Sequence, residues 1–363
     1  MVVRSTGVRR AVTAVTALVA VVPGLALTSC SGGHGGTPVA AATSGVTTVA
    51  TTPTPSATPK PKPKPKPAPT NPLTGLTGKP VGAVIAVKMD NTLAARPQLG
   101  LESADAVYVE LVEAGLTRLV AVFASKHPTT VGPVRSVRNT DPEILGGYGR
   151  PALAFSGGAG GPKATLHRSP LIDASVDRQP AAYRRLSTRN APYNLVVNLQ
   201  QLSAAVPTGS RVKDVGFRYA LHSTQLAKAR RVTKVTVVIG QTPLTFRWDA
   251  PSRRWVRLAA DGTALRTASG AVVSTPNLVI QRCAVRADPT DVDVNGVVSQ
   301  YTSTVGYGTV LVLRDGRVLT GRWQRASVTA PTRYLDAAGR DLRLRPGGEW
   351  VLLQPVTNQV TYG

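Results

Sequence analysis

Nine side chains between residues 90 and 141 are of types that could do chemistry together: Asp90, Asn91, Arg96, Glu110, Glu113, Arg118, Arg135, Arg138 and Asp141. Asp90 and Asn91 close a run of apolar residues, at the strand end where α/β folds often place ligand contacts. Glu110 and Glu113 flank the turn of an expected hairpin, and Arg118 enters its second strand. Arg135, Arg138 and Asp141 occupy residues 131–143, a loop that leads into a helix N-terminus, a setting suited to anions. Gathered into one polar pocket, two of the carboxylates could exchange protons with a substrate. The arginines could instead grip a carboxylate or phosphate through paired N–H donors. The same residues would also serve as an ion-pair network that fixes strand register, with Asp141 capping the helix.

A tenth candidate does different chemistry. Arg4, Arg9 and Arg10 precede an apolar stretch over residues 11–27, short for a membrane span and ordinary for a signal-peptide core. It ends in Leu27-Thr28-Ser29-Cys30, which resembles the lipobox of bacterial lipoproteins: the Cys30 thiol takes the lipid, and the small residues before it admit the peptidase. Residues 31–70 contain no acidic side chain and end in alternating lysine and proline. Such a segment cannot bury enough apolar surface to order itself. Its Lys-Pro run is expected to form a stiff polyproline II spacer, rising roughly 3.1 Å per residue, that lifts the folded part of the chain off the membrane.

The formal charge is +24, and seven of the 43 basic residues precede residue 71 while all 19 acids lie beyond it. A charge of this size raises the question of nucleic acid, but export and the low aromatic content argue against it and favour wall polymers or lipid headgroups. The four histidines, at 34, 127, 167 and 222, are dispersed, so no metal is expected. Residues 157–163 lack the Gly-Lys-Ser/Thr ending of a phosphate loop, and Pro162 removes an amide that its cradle would use. Phe155-Ser156-Gly157 is no nucleophile elbow. With Cys30 acylated, Cys283 has no partner and reads as a small buried residue in a strand.

The elements that must hold the candidates are set by hydrophobic spacing. Residues 80–89, 106–112, 116–125 and 151–156 read as strands, with Gly115 in the left-handed position of a hairpin turn. Thr140-Asp141-Pro142-Glu143 has the spacing of a capping box, and residues 223–231 look helical. After residue 231 the pattern becomes mainly strand: 232–239, 244–248, 255–258, 278–285, 309–313, 317–323 and 350–354, with Asp315-Gly316 as a hairpin turn. The fold class is therefore α+β, a mixed α/β N-terminal domain over 71–230 followed by a mainly β C-terminal domain over 231–363. A signal peptide (1–30) and a linker (31–70) precede them.

Several of these segments are similar to the DUF3048, or YerB-like, lipoprotein family. The resemblance rests on Lys88-Met89-Asp90-Asn91, on residues 95–101 from Ala95-Arg96-Pro97 to Leu101, and on Ala104-Asp105-Ala106-Val107-Tyr108-Val109-Glu110. Glu113-Ala114-Gly115-Leu116-Thr117-Arg118 and residues 131–138 extend it, and Arg314-Asp315-Gly316-Arg317, Gly321-Arg322-Trp323 and Pro331-Thr332-Arg333-Tyr334 carry it into the second half. Lys88-Met89 departs from the apolar pair more usual before the aspartate. The resemblance implies a signal peptide with lipobox, a low-complexity linker and two domains; it implies no activity and no cofactor. The expected function is that of an extracytoplasmic lipoprotein, held to the membrane through Cys30, that binds an anionic envelope component. Two alternatives stand beside it: an envelope hydrolase or transferase using Asp90, Glu110 or Glu113 as acid–base groups, and a scaffold for another exported protein.

Overall fold

The computed structural model describes residues 70–78, 83–206 and 213–363. Cys30, the signal peptide and the Lys-Pro linker lie outside the described residues, as does the start of the strand expected from residue 80. The first half supplies β1 (Ile85–Asp90), β2 (Ala106–Leu111), β3 (Thr117–Phe123), α1 (Thr140–Leu145), β4 (Ala152–Ala154), α2 (Gly160–His167), β5 (Ile172–Asp173), β6 (Tyr183–Arg185), β7 (Leu195–Val197) and α3 (Leu199–Ala205). The second half adds β8 (Arg230–Arg231), β9 (Lys234–Ile239), β10 (Thr242–Asp249), β11 (Arg254–Leu258), β12 (Ser274–Thr275), β13 (Asn277–Cys283) and β14 (Val285–Val292). It ends with β15 (Val298–Thr302), β16 (Gly306–Arg314), β17 (Arg317–Arg325), β18 (Arg333–Leu335), β19 (Glu349–Pro355) and β20 (Val360–Tyr362).

The fold is α+β, with helix in the minority. The three α-helices have six, eight and seven residues, so the first half is less mixed than expected and most of its connections are turns and loops. Ten strands run in the order β18-β17-β16-β13-β19-β2-β3-β1-β4-β5, and β8 pairs with β17 to complete a sheet of eleven. Strands of both halves meet where β19 lies parallel to β2, with Trp350 opposite Val107 and Val351 opposite Tyr108. A second sheet, β12-β11-β10-β9-β20, covers one face of the first.

Side chains alternate across these strands, as the pleat requires. Val87, Met89, Val109, Leu111 and Leu119 face the second sheet and join Val237, Phe246 and Trp255 in one core. Ala86, Tyr108, Val120 and Val122 face the other way, into a core with Ile144 and Tyr148 around α1. Burial on both faces explains why β1, β2 and β3 read as mainly apolar runs without a polar face, interrupted by charge only toward one end.

Turn chemistry tracks the residues closely. The β2–β3 link places Ala114 and Gly115 at φ 53° and 69°, and the β16–β17 link places Asp315 and Gly316 at 50° and 66°. Two expectations are corrected. Residues 223–231 form only a short turn, Thr224–Leu226, followed by β8. Pairing of β8 with Arg317 and Val318, and the Arg317 guanidinium on the Ala229 carbonyl at 2.7 Å, hold that segment extended. The capping box at Thr140 does not form. Thr140 Oγ1 instead accepts the Thr302 N–H at 3.1 Å, and Glu143 Oε1 accepts N–H bonds from Thr304 and Val305, so both residues tie α1 to the end of β15.

Candidate functional site

Lys88 and Asp90 on β1, Glu110 on β2 and Arg118 on β3 share the face that carries Ala86, Tyr108 and Val120. Their hydrophobic rows turn charged at one end of the sheet. Register places opposite charges side by side, with Arg118 opposite both Asp90 and Glu110. The loop between β3 and α1 then lies across this end, held by Asp90 N–H on the Pro133 carbonyl (3.0 Å) and Arg135 N–H on the Lys88 carbonyl (2.9 Å).

The ion pairs divide into three groups. Lys88 Nζ reaches Asp141 Oδ1 at 2.6 Å and also contacts Glu110, and all three side chains are wholly buried. Burial is the main influence on Lys88 and lowers its pKa to about 8 against the opposing charge of Asp141. Glu113 is gripped by Arg118 on one oxygen and by Arg138 on the other, at 2.6 and 3.0 Å. Burial alone would raise the Glu113 carboxyl, but the two guanidiniums carry it below its ordinary range. Asp291 of β14 joins Arg138 at 3.3 Å, and desolvation raises its carboxyl. Asp90 holds Arg135 Nε at 3.0 Å and accepts the Thr92 N–H and hydroxyl, each at 2.7 Å.

The remaining candidates, Asn91 and Arg96, lie at a different opening. Glu113, Arg118, Arg135 and Arg138 line a small cleft of about 310 Å³. Asn91 and Arg96 line a cleft of about 690 Å³ between the loop after β1 and the second sheet, which contributes Lys234, Thr242, Thr245 and Arg257. Here Asn91 is the hinge of the arrangement. Its amide nitrogen donates to Thr117 Oγ1 and its amide oxygen accepts from Arg257 Nη1, both at 2.8 Å, while its carbonyl accepts from Arg96 at 3.2 Å. Among the described residues neither Arg96 nor Arg257 makes an ion pair, and no carboxylate lines this cleft. Burial lowers the pKa of both, against the charge of Asp90 in the case of Arg96, and the charge of Arg96 lowers Arg257 further. Arg257 lies over the Trp350 ring, 5.6 Å from its centroid.

Sequence reasoning missed Lys88, Arg257 and Asp291. Lys88 sits inside an otherwise apolar strand, and a lysine so placed is itself a signal, since an unpaired buried charge is not tolerated. Arg257 and Asp291 come from the second half, and nothing local ties either to residues 90–141.

Two family models match the chain: "Protein of unknown function (DUF3048) N-terminal domain" over residues 73–212, and the corresponding C-terminal domain over residues 234–351. The chain belongs to the DUF3048 family. A relative from Bacillus subtilis (strain 168), "Putative lipoprotein YerB", is 25% identical over 293 residues, which span 78% of this chain and 86% of that one. The crystal structure of the YerB protein from Bacillus subtilis covers 80% of this chain and 99% of its own, with a TM-score of 0.68 at 22% identity, a likeness of fold. The DUF3048 N-terminal match contains all nine of the candidate residues from Asp90 to Asp141, and the C-terminal match contains Arg257 and Asp291. Both clefts of this DUF3048 chain are therefore built from the two matched segments together. No helix among the described residues is long and apolar enough to cross a membrane.

Proposed function

We propose that this protein is a lipoprotein held at the extracytoplasmic face of the membrane through Cys30, and that it binds an anionic envelope component in the cleft lined by Asn91, Arg96 and Arg257. The observation that carries the reading is the pair of guanidiniums, Arg96 and Arg257, brought together at a cleft that no carboxylate lines. Arg257 is buried and Arg96 half-buried, and although Asp90 offsets the charge of Arg96, the repulsion between the two guanidiniums favours an anion in the cleft. A phosphate or carboxylate would relieve that repulsion through charge-assisted hydrogen bonds, each contributing about 1.5–3 kcal/mol. Among the described residues Arg96 Nε is buried without a partner, so one of its donors is unused. Leu93 and Leu116, both exposed, line the same cleft and suit the apolar or sugar portion of such a ligand.

The acid–base reading has less support in the geometry. Glu110 has no exposure, Asp90 is engaged by Arg135 and Thr92, and Glu113 is clamped on both oxygens. Two experiments test the proposal. Cys30→Ala should move the protein from the membrane to the soluble fraction, and retention on the membrane would exclude the anchor. Purified full chain should be retained on phosphate-rich wall polymer, less so as salt rises. Arg96→Gln should weaken that retention about tenfold or more, the loss of one charge-assisted bond. Retention unchanged by Arg96→Gln would remove the cleft from the reading.

A further inference from the structure

Three reactive groups meet in the core where no substrate can reach them. The Lys88 ammonium, on the interior strand β1, lies 2.6 Å from Asp141 Oδ1 on α1 and contacts the Glu110 carboxylate of β2, and all three side chains have zero exposure. One amine and two carboxylates share a dry site, with the Arg118 and Arg138 charges near enough to act on Lys88, and burying so many charges is electrostatically costly. The pairs are also chemically unequal. The second oxygen of Asp141, Oδ2, accepts the Arg138 backbone N–H at 2.7 Å, which polarises that carboxyl as an oxyanion donor would. Among the described residues Glu110 makes no hydrogen bond besides its contact with Lys88, so it is free to accept and return a proton.

We propose that Lys88 and Asp141 are a modification site, joined by an intramolecular amide that forms in the folded chain with Glu110 as the proton carrier. The ammonium first yields its proton to the carboxyl pair, leaving a neutral amine and a neutral acid. The Lys88 nitrogen lone pair then attacks Asp141 Cγ, and the developing oxyanion is held by the Arg138 N–H. Glu110 takes a proton from the attacking nitrogen and delivers it to the departing hydroxyl. A C–N bond forms, a C–O bond breaks and one water leaves. One ammonium and one carboxylate become a neutral amide, and Glu110 ends as it began. No oxidant, reductant or external co-reactant is needed. Desolvation lowers the amine's proton affinity, a recognised route to a nucleophilic lysine. The product removes two charges from the core and ties β1 to the helix α1 that packs on its face.

The test is peptide mapping of the full chain, digested in denaturant and sequenced by tandem mass spectrometry. The expected result is a branched species joining the Lys88 peptide to the Asp141 peptide, lighter than their sum by one water. Recovery of the two peptides only as separate linear species would overturn the proposal, and so would a branch ending at Glu110. Lys88→Arg should yield linear peptides only. Glu110→Gln should also do so, and a branch persisting at full yield in that variant would overturn the role given to Glu110. The reading is independent of anion binding in the Asn91 cleft, because Arg96→Gln leaves the branched peptide in place.

Discussion

Glu349 shows how a single buried group can set the pH response. It stands at the head of β19 opposite Ala106, with Oε2 accepting the Tyr219 hydroxyl at 2.5 Å and Oε1 buried without a partner among the described residues. Desolvation raises its carboxyl well above the ordinary 4.5, with Tyr219 opposing and Asp105 assisting. A group whose native value is raised binds its proton more tightly when folded. Its contribution to stability is therefore complete below the ordinary value and is lost as pH rises from there through the native value. Glu349→Gln should keep the shape and remove the titration. Thermal melts in a pH series should show the wild type losing stability toward alkaline pH and the variant losing less. Identical pH slopes would exclude Glu349 as the source. At the same scale, Arg257→Ala should reduce both anion retention and stability, since it removes the Asn91 bond and the contact with Trp350.

At the scale of elements, the large cleft depends on how the β9–β10 hairpin seats against the β2–β3 hairpin. Gly240 has φ 60°, and a β-carbon there would lie 2.3 Å from Leu111 Cδ1 and 2.7 Å from the Gly115 carbonyl oxygen. The backbone bond from Gln241 N–H to that carbonyl, 2.9 Å, needs this approach. Gly240→Ala should destabilise by more than about 1 kcal/mol, because it combines a left-handed residue with a backbone clash, and denaturant unfolding would measure it. Gly262, also at positive φ but with open space around its β-carbon position, should be affected only by its conformation. Hairpins such as Asp315-Gly316 were legible because the turn residues themselves set the backbone. The segment 223–231 was not, because its helical spacing is overridden by pairing with β17, a partner about 90 residues away.

For the whole molecule, the governing fact is a sheet that takes strands from both halves. β2 pairs with β3 on one side and with β19, near the end of the chain, on the other. Removing the second half would leave β2 as a long apolar edge with unpaired N–H and C=O groups. The full chain should therefore unfold in one transition, with near-UV and far-UV signals coincident. A fragment of residues 71–230 should lack a cooperative melt and expose apolar surface to a hydrophobic dye. Two separate transitions of the intact chain, or a cooperative fragment, would contradict this coupling.

What the sequence determined by itself was local: apolar runs for strands buried on both faces, hairpin turns fixed by their own residues, and charges clustered at the ends of β1, β2 and β3. These rest on the two-residue period of a strand and on the φ preferences of turn residues, both readable within a few positions. The tertiary structure alone decided that Asn91 and Arg96 open on a different cleft from Arg118, Arg135 and Arg138, and that Arg257 completes it from 166 residues away. It alone placed Lys88 between Glu110 and Asp141. Partners so distant are chosen by strand order and register, and no local pattern encodes those choices.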